Sequence, residues 1–166
     1  MKKITLLIIA LSFALSASSQ TIVDTAVSNK NFSTLVTALK AADLVGALSG
    51  DGPFTVFAPN NDAFAKIDSK TLSSLLEPAN VKALSNILTY HVVSGKLLAA
   101  DVANALKAGE GKAKLKSLNG QELTAISKYE KIYLIDAKGG MSEIIATDVI
   151  GTNGVIHVVD TVVMPE

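Results

Sequence analysis

Hydrophobic positions in the first half of the chain recur at helical spacing. Phe32, Leu35, Val36 and Leu39 mark one helix face by the i, i+3, i+4, i+7 rule. Leu72, Leu75 and Leu76 begin a second stripe, with Asp68 or Ser69 placed to cap it. After Pro78, Leu84, Ile87, Leu88 and His91 form a third. A short helix is predicted to start at Asp101 and stop at Gly109. One strand interrupts this half. Phe54 to Ala58 is aromatic and β-branched and is bounded by Gly52-Pro53 and Pro59. Asn60 follows as the cap of a short helix carrying Ala63 and Phe64.

The second half reads as strands: Lys112–Leu118, Gln121–Ser127, Lys131–Asp136, Ser142–Ile150 and Val155–Val163. Turn signals separate them. Asn119-Gly120 fits a type I′ hairpin, whose central residues both need positive φ, and Gly139-Gly140 and Asn153-Gly154 read similarly. Helices first and strands after predict an α+β fold rather than a doubly wound βαβ sheet.

The first residues bear on the compartment. Lys2-Lys3, the apolar run Ile4–Leu15 and the small residues Ser16–Ser19 follow the order of a secretory leader. The run falls short of the roughly 20 residues that a membrane-spanning helix needs. A leader over 1–19 and a single domain over 20–166 are expected, with the mature protein secreted, extracellular or periplasmic. No later segment is apolar enough over a sufficient length to cross a membrane.

Charge narrows the partners. The chain has 15 basic and 15 acidic residues, and loss of Lys2 and Lys3 with the leader tips the balance slightly acidic. Every basic residue is Lys, so planar bidentate recognition of phosphate or of base edges has no donor. Nucleic acid is therefore not an expected partner. Cysteine is absent, which rules out disulfides, thiolate metal sites and thiol catalysis. The fold must be held by its core alone.

Three segments together resemble the fasciclin domain family. Gly52–Phe64 (GPFTVFAPNNDAF) is similar to its first signature, Tyr90-His91-Val92-Val93 to its central Tyr-His motif, and Asn153–Pro165 (NGVIHVVDTVVMP) to its closing signature. Asn60 stands where the family often has Thr, and Ser94 where it often has Pro. The resemblance implies a compact wedge, a β-sandwich-like core with several helices packed on it. It also implies extracellular or periplasmic binding and cell adhesion, as in small secreted bacterial members with a single domain. In animal members, an Asp followed by an aliphatic residue before the closing signature is implicated in integrin binding, as is the Tyr-His stretch. The matching residues here are Asp148, Val149, Tyr90 and His91. The plainer alternative has Val149 in the core and Asp148 capping a turn.

Candidate chemistry is sparse. His91 and His157 are the only histidines. Each lies among apolar residues, without an HExxH pair or a carboxylate cluster at fixed spacing, so structural roles are expected for both. Asn60, Asn61 and Asp62 form a polar turn expected to supply the partner of a buried His91. No Gly-x-Ser-x-Gly elbow is present. Gly109–Lys112 fails as a phosphate loop, because Ala113 follows the Lys and Leu106 occupies the first Gly position. Lys112, Lys114 and Lys116 share one strand face, as on a solvated edge strand; an anionic polymer is the alternative contact. The expected function is a non-catalytic adhesion or interaction module, a monomer without cofactor, catalytic residues or metal, binding a cell-surface or matrix protein or glycan. An exported hydrolase using His91 or His157 is the second reading.

Overall fold

The computed structural model describes residues 20–166; the leader expected over 1–19 lies outside the described residues. The helical part comprises α1 (Ile22–Ser28), α2 (Ser33–Ala41), α3 (Val45–Leu48), α4 (Asn61–Ala65), α5 (Ser69–Leu75), α6 (Val81–Tyr90) and α7 (Ala99–Ala108). The strands are β1 (Phe54–Pro59), β2 (Val92–Ser94), β3 (Lys112–Lys116), β4 (Glu122–Lys128), β5 (Lys131–Ile135), β6 (Met141–Gly151) and β7 (Gly154–Val159). Caps read from the sequence are in place: Asp68 accepts from Thr71 N–H and Asn60 from Ala63 N–H.

The strands form one curled sheet in the order β2-β1-β7-β6-β5-β4-β3. β1 and β7 run parallel, Phe54 opposite Gly154 through Pro59 opposite Val159; every other pair is antiparallel. β6 belongs to both halves. Met141–Glu143 pair with β5, and Ile144–Gly151 pair with β7 through two register shifts. The sheet comes close to closing at one bridge, Val93 opposite Ser117. This is the α+β fold that the element order predicts and the wedge that the resemblance implies.

Alternation along β1 divides the core in two. Val56 and Ala58 face the helices, where they pack with Ile22, Phe32, Leu35, Leu39, Phe64, Leu84 and Leu88. Phe57 faces the interior of the curled sheet with Leu115, Leu123, Leu134 and Val159; Tyr90, Val102, Leu106 and Val163 complete that interior. Gly154 permits the close approach of β1 and β7, since a Cβ there would collide with the Phe54 carbonyl.

Several sequence expectations need correction. Only Gly120 of the Asn119-Gly120 pair has positive φ, so the hairpin is not type I′. Asn119 instead accepts from Gln121 N–H and the Ser117 hydroxyl, pinning a longer turn by its side chain. Neither Asn153 nor Gly154 has positive φ. The last strand ends at Val159 rather than Val163, because Asp160 turns its carboxylate onto Glu143 N–H. α7 starts at Ala99, so Asp101 sits inside its first turn and accepts from Leu98 N–H. Helices α1 and α3 and strand β2 have no counterpart among the predicted elements.

Candidate functional site

Tyr90 and His91 end α6, and both turn inward. Tyr90 is fully buried; its hydroxyl donates to Glu122 O at 2.9 Å and accepts from Ala137 N–H at 3.1 Å. Burial pushes its pKa up. His91 is 2 % exposed. Its Nδ1 lies 2.8 Å from Ile87 O, and its Nε2 lies 3.1 Å from Val163 N. A carbonyl can only accept and a backbone N–H can only donate, so the ring is held as the Nδ1–H tautomer. Burial lowers its pKa to about 4, although the Ile87 carbonyl and Asp136 both pull the other way.

His91 therefore takes no partner from Asn60, Asn61 or Asp62, contrary to the sequence expectation. Asn60 caps α4. Asn61 accepts from Thr34 N–H and the Ser33 hydroxyl and donates to Lys30 O, which fastens α4 to α2. Asp62 is exposed in the first turn of α4. The imidazole is satisfied instead by the preceding turn of its own helix and by the chain after β7.

His157 is 1 % exposed and stacks on Phe57, ring centroids 5.6 Å apart. Its Nε2 lies 2.7 Å from Leu97 O, so Nε2–H donates. Its Nδ1 accepts from Asp148 N–H at 3.3 Å. That bond fixes a bulge in β6, where Asp148 takes φ +58°, a left-handed conformation that Asp tolerates better than most residues. The bulge aims the Asp148 carboxylate outward and onto the start of α7, where Oδ1 accepts from Ala99 N–H at 2.8 Å. Leu98, the residue at the cap position, has no side-chain acceptor, and a carboxylate from 49 residues away does the capping.

Asp148 lies within β6, which continues to Gly151, and caps α7 rather than a turn. Along Asp148–Gly154 the exposed residues are Asp148, Ile150 and Thr152; Val149 is half-buried against the helical core. Gly151, Asn153 and Gly154 are buried. The four residues that the resemblance singles out are separated by burial: Asp148 faces out, Val149 is intermediate, and Tyr90 and His91 are inside.

The family model described as the fasciclin domain matches residues 30–165. The chain belongs to the fasciclin domain family. Protein sll1483 of Synechocystis is 50 % identical over 154 residues, covering 93 % of this chain and 78 % of that protein. The cell surface glycolipoprotein MPB83 of Mycobacterium bovis is 32 % identical over 142 residues, covering 82 % of this chain and 57 % of its own length. Among solved structures, a FAS1 domain pair from the insect cell adhesion molecule fasciclin I superposes with a TM-score of 0.75 at 18 % identity. It covers 86 % of this chain, which spans half of that one.

One residue of this fasciclin domain escaped sequence reasoning. Asn153 reads as a turn residue, yet it is 8 % exposed and has three backbone partners. Oδ1 accepts from Ile22 N–H at 3.0 Å, and Nδ2 donates to Leu48 O and Gly50 O, both at 2.8 Å. It ties the first helix and the loop before β1 to the final hairpin. Among the described residues no group of three or more His, Asp or Glu is arranged to hold a metal ion, and no helix is long and apolar enough to cross a membrane.

Proposed function

We propose that this fasciclin domain is an exported, non-catalytic interaction module, with a leader over 1–19 and a single domain over 20–166. It binds a cell-surface or matrix protein or glycan through the exposed side chains of the Asp148–Gly154 edge. The observation that carries the non-catalytic reading is the state of the two imidazoles. Each is at most 2 % exposed, and each ring nitrogen faces a backbone group. General base catalysis needs a nitrogen within reach of a substrate proton, and reaching these would require unpacking the core. The exported, adhesive reading is supported by the family and by two similar proteins: one is named a cell surface glycolipoprotein, the other comes from a cell adhesion molecule.

The edge offers Asp148, Ile150 and Thr152 to solvent on a backbone pinned by β7 and, through Thr152, by the Gln20 carbonyl ahead of α1. Function concentrates on exposed segments held by a rigid scaffold. The test is capture of envelope, matrix or host-surface fractions on the immobilised mature domain. Loss of capture in Asp148→Asn or Ile150→Glu, with thermal unfolding unchanged, supports this surface. Undiminished capture by both variants rejects it. Mass spectrometry of exported protein should show an N-terminus near Ser18–Thr21; an intact Met1 on that material would count against the leader.

A further inference from the structure

The place where the sheet fails to close has the chemistry of a second binding surface. Among the described residues, β2 meets the chain just past the end of β3 at one bridge, Val93–Ser117, where Leu118 N–H donates to Val92 O at 2.8 Å. Beyond it no ladder joins Ser94–Leu97 to Lys114–Lys116 among the described residues. The strands part around a cleft of about 500 Å³. Val93, Leu97 and Leu115 give it an apolar floor, and Lys114, Lys116 and the exposed Leu118 form its rim.

The backbone of β3 is in phase to accept a strand there. Ser117 N–H donates to Gln121 O, and Ser127 N–H to Gly111 O, so Gly111 and Ser117 belong to the hydrogen-bonded pairs with β4. In an antiparallel ladder these pairs alternate with non-bonded ones. Lys114, opposite Thr124, falls on the non-bonded set, and its N–H and C=O point away from β4 into the cleft. Strand alternation puts Lys112, Lys114 and Lys116 on the solvent face, with Ala113 and Leu115 buried between them.

We propose that this seam receives an extended acidic segment of a partner protein, which adds to the β3 edge as a further strand. The cleft lining contains lysines and no acidic residue. The carboxylate ion-paired with the stripe among the described residues, Glu122, sits 2.9 Å from Lys114 on the β4 side, in a pair so exposed that solvent screens it heavily. A segment alternating acidic and apolar residues meets both demands. Its carboxylates lie beside the lysines, and its apolar side chains lie over Leu97 and Leu115. Self-pairing of two copies would set Lys against Lys across the new ladder, which is unfavourable. The surface uses none of the residues of the Asp148–Gly154 edge, so the two readings fail separately.

The test uses the mature protein and end-blocked synthetic peptides. One alternates Glu and Val, a second has the same composition as a Glu block followed by a Val block, and a third alternates Lys and Val; heparin is the polyanion control. The alternating Glu–Val peptide should bind saturably and slow hydrogen exchange at the Lys114 amide. The double variant Lys114→Gln, Lys116→Gln should weaken that binding by about tenfold, with unfolding unchanged. The proposal is overturned if the block peptide binds equally well, or if heparin binds and the alternating peptide does not. It is equally overturned if nothing binds, or if binding leaves the Lys114 amide exchanging freely.

Discussion

His91 accepts a hydrogen bond from the backbone N–H of Val163, 72 residues later in the chain, at 3.1 Å. That bond fastens the segment after β7 to the end of α6. Val163 is itself buried, so its N–H has no water to fall back on. His91→Ala should therefore leave both a cavity and an orphaned donor, and cost about 2–4 kcal/mol of stability. Urea denaturation measures this; a wild-type midpoint in the variant would contradict it.

The same residue sets an acid dependence. Unfolded, its imidazole titrates at 6.5; folded, burial holds it down to about 4. Between those values the unfolded chain binds a proton that the folded chain does not. Stability should therefore be unaffected by this group above pH 6.5 and should decline as pH falls from there to about 4. The slope is at most about 1.4 kcal/mol per pH unit. Denaturation curves across that window test it. A His91→Gln variant should lose that part of the acid dependence; an identical slope would show that other groups produce it.

Asn153 invites a sharper comparison. Asn153→Ala removes one acceptor and two donors from backbone partners, of which Ile22 and Leu48 are buried, which predicts a loss of about 3 kcal/mol. Asn153→Asp keeps the acceptor for Ile22 N–H but turns a carboxylate oxygen toward the carbonyls of Leu48 and Gly50, so it should also destabilise. If Asp is tolerated as well as Asn, the donor side of the network is unimportant.

Asp148 is not a neutral position for mutagenesis. Its carboxylate caps α7 and its φ is positive. Asp148→Ala should cost on the order of 1 kcal/mol through the lost cap and the strained backbone. Asp148→Asn keeps an acceptor and tolerates the same φ, so its stability should stay close to wild type. Thermal melts of the pair check the order, and the reverse order would refute the capping role.

Helices α2 and α6 were legible because their apolar positions keep one period over several turns, and strand β1 because an aromatic and β-branched run is bounded by Gly52-Pro53 and Pro59. The caps of α4 and α5 were legible because Asn60 and Asp68 act on backbone three residues away. α1 left a fainter local signal, the Thr21–Asp24 capping box, beside only seven helical residues. α3 and β2 are too short to show any period. The roles of His91, Asp148 and Asn153 were hidden for another reason: their partners Val163, Ala99, Ile22 and Leu48 are distant in sequence. An Asn-Gly pair looks the same whether its amide faces water or, as here, holds three backbone groups.

The parallel pairing of β1 with β7 fixes when the molecule can acquire its shape. β1 lies between β2 and β7, and β2 offers it only three paired residues. Until Gly154–Val159 has been synthesised, the platform under α1, α2 and α6 is missing its centre. Early helices have nowhere to dock, and loop closure must span most of the domain before it is rewarded. Folding should accordingly be one late cooperative event, not a stepwise consolidation as the chain emerges from the ribosome. A chain ending at Thr152 would be not a smaller domain but a polypeptide that stays unfolded.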